Sequence, residues 1–160
     1  MEAQKLNIGC GRIHKEGYVN IDITQIIDGR GKACVDLILD IEHEKMPFED
    51  SSVTEILADN MLEHIEELRF FLNECHRVLN PDGLLVGCVP VAGSKPDFKD
   101  PTHKRHFIME TFDYFTGEAG YDSSKPSHPK YADYGFLPWY KVELEQREDM
   151  IYFKLKPRKI

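Results

Sequence analysis

KLNIGCGRIHKEGYVNIDI, residues 5–23, sets two short apolar runs on either side of a glycine pair. KLNI (5–8) stops at Gly9-Cys10-Gly11, and YVNIDI (18–23) alternates Val19, Ile21 and Ile23 against Asn20, Asp22 and Thr24. Alternation with period two, carried by β-branched residues, predicts a strand for each run. Glycine lets backbone come close to a ligand, and a carboxylate at a strand end offers two oxygens to a pair of hydroxyls. A lone G-x-G reads equally well as a tight turn.

Working outward, VDLILDI (35–41), VTEILA (53–58) and LLVGCVP (84–90) predict three more strands, the last apolar on both faces and so central in a sheet. Leu68, Phe71, Leu72, Cys75, Val78 and Leu79 recur at helical spacing, which predicts an amphipathic helix over 66–79. Asn80-Pro81-Asp82-Gly83 should end it in a turn. Residues 92–107 form a polar, proline-bearing connection longer than most, a kind that often carries function. A helix over 109–121 should stop near Gly117 or Gly120, while 123–135 has two prolines and no apolar period. WYKVELEQ and MIYFKLK then alternate about Arg147-Glu148-Asp149, which predicts an antiparallel hairpin. Strands alternating with helices indicate an α/β fold with a mostly parallel sheet.

The chain has 160 residues, the length of one domain, with 41% hydrophobic and 30% charged residues, as in ordinary globular proteins. Its net charge of −8 makes nucleic acid an unlikely partner, because a phosphate backbone would repel the molecule as a whole. Cys10, Cys34, Cys75 and Cys88 show no C-x-x-C pairing, so a reducing, cytoplasmic setting is the simpler expectation. MEAQKLN lacks the features of a signal peptide, and LLVGCVPVAG is about half the length of a membrane span.

In a parallel α/β sheet, ligands bind at the carboxyl ends of strands where strand order reverses. Gly9-Cys10-Gly11, Asp22, Asp40-Ile41, Asp59-Asn60 and Pro90 each follow or close one of the five predicted strands. Asp22 can hold both ribose hydroxyls or be a solvated strand end. Asp40 can accept from an adenine amino group beside the N–H of Ile41, or simply cap a turn. A dinucleotide site would need a third glycine three positions after Gly11, where His14 stands, so an NAD-binding oxidoreductase is the weaker alternative.

Together LNIGCG, NID, LDIEHEKMPFEDSSV, MLEHI and LNECHRVLNPDGLLVGCVP resemble the class I S-adenosylmethionine-dependent methyltransferases, in their small type 11-like branch, over about residues 5 to 120; DPTHKRHF resembles the segment after the fifth strand there. The resemblance implies a Rossmann-like, doubly wound, mostly parallel seven-stranded sheet with an antiparallel C-terminal hairpin strand, in one domain spanning 1–160. It also implies adenosylmethionine as donor, with adenosylhomocysteine as product. Gly9, Cys10, Gly11, Asp22, Ile23, Asp40, Ile41 and Asp59 are the cofactor-binding candidates. Only ten residues, Arg12 to Ile21, separate Gly11 from Asp22, so the first helix should be shortened or replaced by a loop.

Methyl transfer from a sulfonium needs mainly alignment, with a base only for a protic nucleophile of high pKa. His103 and His106 are the catalytic candidates, since imidazole is the side chain best suited to proton transfer near neutral pH and the two would share a face if their segment were helical; loop-stitching hydrogen bonds are the structural alternative. Arg105, His64 and Tyr114 are substrate candidates, although Glu63-His64 reads equally as a helix start and an aromatic stripe such as Phe112, Tyr114 and Phe115 is more often core. No metal is expected: Asp97, Asp100, His103 and His106 have suitable chemistry but nothing that fixes a geometry. The basic tail KLKPRKI reads as a solvated end. The expected acceptor is a small molecule or saccharide. A non-catalytic adenosylmethionine-binding protein, a homo-oligomer or a partner subunit are the alternatives.

Overall fold

The computed structural model describes residues 4–117 and 134–159. In chain order these contain β1 (Gln4–Ile8), β2 (Val19–Asp22), β3 (Leu37–Ile38), β4 (Val53–Asp59), α1 (Leu68–Val78), β5 (Leu79–Pro90), α2 (Lys95–Lys99), α3 (Asp113–Thr116), β6 (Trp139–Arg147) and β7 (Met150–Pro157). Single 3-10 turns precede α1 and α3, at Leu62–His64 and Met109–Phe112. The strands form one seven-stranded sheet in the order β3-β2-β1-β4-β5-β7-β6. All pairs from β3 to β5 are parallel; β5–β7 and β6–β7 are antiparallel. Strand order reverses between β1 and β4, so ligands are expected above their carboxyl ends.

The expected sheet and closing hairpin are present. The expected helix before Asn80 spans Leu68–Val78, with its apolar stripe buried against the sheet. Crossovers, by contrast, are mostly not helical. Ten residues, Gly9 to Tyr18, connect β1 to β2 through turns, with no helix. Buried amides do the work of the missing helix. Asn7 and Asn20 stand opposite each other in the β1–β2 register, and Asn7 Nδ2 donates to Asn20 Oδ1 at 2.9 Å and to the Ile13 carbonyl at 3.0 Å. Asn20, fully buried, also accepts from the Lys15 N–H and donates to the Lys15 and Tyr18 carbonyls and to Asp36. The loop backbone is therefore hydrogen-bonded to strand side chains, as buried peptide groups require.

Two boundaries differ from expectation. The run 35–41 contributes only Leu37–Ile38 to the sheet: the Asp36 carboxylate accepts from the Asn20 backbone and side-chain N–H groups before the strand, and the Leu39 N–H gives a last ladder bond to the Asp22 carbonyl before the chain turns at 41–43. Asn80–Gly83 does not separate α1 from the next strand; it bulges within β5, where Val53 pairs with Leu79 and Glu55 with Leu84. The predicted helix over 109–121 is a 3-10 turn followed by α3, closed by left-handed Gly117, and its remainder lies outside the described residues, as does most of 123–135. The basic tail is not free. Lys159 Nζ reaches the carbonyls of His76 and Arg77 at the carboxyl end of α1, where positive charge is favoured. Lys156 pairs with Asp82 at 2.7 Å.

The core runs along both faces of the sheet, with Trp139, Phe71, Phe107, Phe112, Phe115 and Phe153 as its largest buried side chains. Gly87 pairs with Ala58 in the β4–β5 ladder, and a Cβ there would lie 2.2 Å from the Ala58 carbonyl oxygen. Among the described residues no helix is long and apolar enough to cross a membrane. All four cysteines are buried and unpaired.

Candidate active site

A cleft of about 320 Å³ opens over the carboxyl ends of β1, β2 and β4 and the segment after β3, lined by residues that include Gly9, Asp22, Ile23, Asp40, Ile41 and Asn60. Local backbone chemistry builds its floor. Gly9 has φ +65, and a Cβ there would fall 2.4 Å from the Met61 sulfur, so only glycine leaves both in place. Asp22 is oriented at both oxygens: Oδ2 accepts from the Gly11 N–H and Oδ1 from the Ile23 N–H, each at 2.8 Å. Each oxygen keeps a further lone pair for a hydroxyl. Asp40 accepts from the Glu42 N–H and pairs with His43 Nδ1 at 2.9 Å; that hydrogen bond holds its carboxyl below the usual range and raises the imidazole.

Three cofactor candidates lie outside this lining. Gly11 does not open space but supplies the N–H that holds Asp22. Cys10 turns into the core toward the Cys34 carbonyl, and burial, then the Asp22 charge, pushes its thiol up to about 11. Asp59 ends β4 on the exposed side, and its neighbour Asn60, with φ 49, lines the cleft instead. A left-handed residue redirects the chain here, which alternation along β4 does not reveal.

A second cleft of about 390 Å³ adjoins the first and shares Asn60 and His64 with it. Its other lining residues are Glu63, Pro90, Pro96, Lys99, Asp100, His103 and Met150. The long loop after β5 forms its far wall. Val91 and Phe107 pair at the loop's feet, and the Lys104 and Arg105 N–H groups dock it on the Glu63 carbonyl at 2.8 and 3.1 Å. Arg105 also donates from its guanidinium to the Ile65 and Glu66 carbonyls, so it ties the loop down and lines neither cleft.

The two loop histidines part company. Their segment is not helical, since Pro101 follows the short α2, and they do not share a face. His103 faces the second cleft, with its ring centroid 4.8 Å from that of His64 in an edge-to-face arrangement and Nδ1 donating to the Asp97 carbonyl at 2.8 Å. His106 stands outside both linings, held by the Asp97 carboxylate at 2.9 Å. Burial would raise the Asp97 carboxyl, but His106 and the Gly93 N–H hold it below its ordinary value. Tyr114 sits on α3 against Tyr134, away from both linings.

Glu63 is the residue whose importance the sequence understates. It is 1% exposed, burial drives its carboxyl up to about 7, and its Oε2 is one of two buried side-chain polar atoms without a partner among the described residues. His64 is lowered by burial and by His103.

Residues 6–87, half of the chain, match the family described as methyltransferase domain. No curated protein sequence matches. Solved structures share the fold. A methyltransferase from Haloferax volcanii, in complex with the Trm112 methyltransferase activator, is 10% identical with a TM-score of 0.64 over 99% of this chain and 83% of that one. A type 11 methyltransferase structure from Sulfolobus solfataricus is 14% identical, with a TM-score of 0.58 over 98% of this chain and 86% of that one. A SAM-dependent methyltransferase from Archaeoglobus fulgidus is 23% identical, with a TM-score of 0.53 over 71% of this chain, which spans 58% of that protein's length. The sheet order, the glycine-bearing first loop and the matched family agree, and the dinucleotide alternative falls away: the chain belongs to the methyltransferase domain family.

Proposed function

We propose that residues 1–160 act as one domain that holds adenosylmethionine in the first cleft and a small-molecule or saccharide acceptor in the second. The observation that carries this reading is that the two clefts meet at Asn60 and His64. The donor supplies a methyl group already activated on a sulfonium. Asp22 takes the ribose hydroxyls, Gly9 gives the methionine portion its close approach, and Asp40 with the Ile41 N–H borders the adenine. This floor suits a nucleoside without phosphate: no helix N-terminus follows Gly11 to receive a pyrophosphate.

An acceptor in the second cleft meets Glu63, His64 and His103, groups suited to a hydroxyl or amine that must lose a proton. Lys99 on the same wall favours an anionic substituent, and the net charge of −8 disfavours nucleic acid. Calorimetric titration with adenosylmethionine, adenosylhomocysteine and NAD tests the donor site, and adenosylhomocysteine release across a panel of hydroxyl and amine acceptors tests the second. Selective binding of the sulfur nucleosides, with turnover reduced in His103→Ala at unchanged donor affinity, is the expected result. Binding without turnover on any acceptor would favour a non-catalytic role.

A partner subunit or second copy is the other reading of the assembly. Ile23, Ile27 and Ile38 are each more than half exposed near the two-residue edge strand β3. Light scattering at increasing protein concentration separates a monomer from a dimer.

A further inference from the structure

We propose that Glu63, His64 and His103 form a binding site for a first-row divalent transition cation on the wall of the second cleft. One ligand atom from each lies within 4.8 Å of the other two, so a point no more than about 2.8 Å from all three exists. Zinc bonds to imidazole nitrogen and carboxylate oxygen are about 2.0–2.2 Å long, within reach of small side-chain adjustments.

Hydrogen bonding prepares both imidazoles. The Asp97 carbonyl can only accept, so His103 carries its proton on Nδ1 and leaves Nε2 as a lone pair. Thr102 has one hydroxyl proton, which it donates to Asp100 Oδ1 at 2.7 Å; toward His64 Nδ1, 3.1 Å away, it therefore accepts. His64 likewise keeps Nε2 free. Fixing Nδ1–H on an oxygen acceptor is how proteins orient metal-ligating histidines.

Glu63 provides the independent sign of a ligand. Its side chain is buried in the cleft wall and Oε2 has no partner among the described residues, an arrangement that costs free energy unless something binds there. Two imidazoles and one carboxylate suit Zn²⁺, Mn²⁺, Fe²⁺ or Co²⁺ and leave positions open for a substrate oxygen.

The catalytic use of the ion rests on the reading of this cleft as the acceptor site. An acceptor hydroxyl in an open position becomes more acidic. Its proton passes to the Asp100 carboxylate, its oxygen bonds to the methyl carbon, and the carbon–sulfur bond breaks with its electron pair returning to sulfur.

The test uses chelator-stripped full-length protein titrated with Zn²⁺ by calorimetry and with Co²⁺ by visible absorption, beside an adenosylhomocysteine titration. One equivalent of ion is expected, bound at least tenfold more weakly by Glu63→Gln and His103→Gln, with adenosylhomocysteine affinity within twofold of the unmodified protein. Thr102→Val alters an exposed residue, so it tests the site without risk to the core; several-fold weaker ion binding is expected from loss of the His64 anchor. Absence of stoichiometric binding in folded protein, or equal binding in all three variants, overturns the proposal. Ion binding without adenosylhomocysteine binding would sink the donor-site reading and leave the metal site standing.

Discussion

Asn7 and Asn20 face each other across adjacent parallel strands, with the amide of one donating to the carbonyl of the other at 2.9 Å. This pair and Asp36 hold the turns that replace a first helix. Asn20→Leu strands several buried loop groups at once, so a loss of about 3–5 kcal/mol is expected. Urea unfolding followed by circular dichroism measures it; a loss below about 1 kcal/mol would mean that water replaces the amide without cost.

Asp22→Ala removes two oriented acceptors from the first cleft. Adenosylmethionine affinity should fall by roughly 1.5–3 kcal/mol, the range for hydrogen bonds to a charged group. Calorimetry on variant protein shown to be folded is the check, and unchanged affinity would take Asp22 out of the donor site.

His76 gives stability a pH dependence. Its ring is buried against Trp139 and meets the Pro138 carbonyl at 3.1 Å, and burial, then Lys159, lowers its pKa. The unfolded chain therefore binds a proton near pH 6.5 that the folded chain refuses until lower pH. The contribution of His76 is complete above about pH 6.5 and is lost as pH falls toward the folded pKa. Stability relative to His76→Gln should decline over that interval, at up to about 1.4 kcal/mol per pH unit. A constant difference between pH 5 and pH 8, roughly the range in which histidine changes charge, would show that the ring is solvated.

Gly87→Ala places a methyl group against the Ala58 carbonyl and the Phe153 ring. The strands cannot separate without breaking their ladder, and a loss of about 3 kcal/mol or failure to fold is expected. A thermal melt within 2 °C of the unmodified protein, about what 0.5 kcal/mol would shift, would count against the close approach.

Alternation in 18–23, the apolar run 84–90 and the helical stripe of 68–79 made the sheet and α1 legible, because each follows a simple period. Gly9, Asp22, Ile23, Asp40 and Ile41 were legible because they sit where strands end, and all line one cleft. What escaped the sequence depends on side-chain direction or distant pairing. Asn7 and Asn20 look like ordinary polar positions of strands until the missing helix gives them a loop to hold. Asn60 replaces Asp59 through one backbone angle, Arg105 meets carbonyls 39 and 40 positions away, and Glu63 becomes unusual only when the loop after β5 covers it. Lys159 acquires its role from α1, 82 and 83 positions earlier.

The sheet order places β7 between β5 and β6, although β6 is synthesised first. During translation the long apolar edge of β5 therefore cannot be sealed by the strand that emerges next; it must wait for a later one, threaded beside it by the hairpin. Until then that edge is open to strands of neighbouring nascent chains. A variant that slows formation of the 147–150 turn should therefore lower soluble yield in the cell far more than it lowers the equilibrium stability of the purified protein.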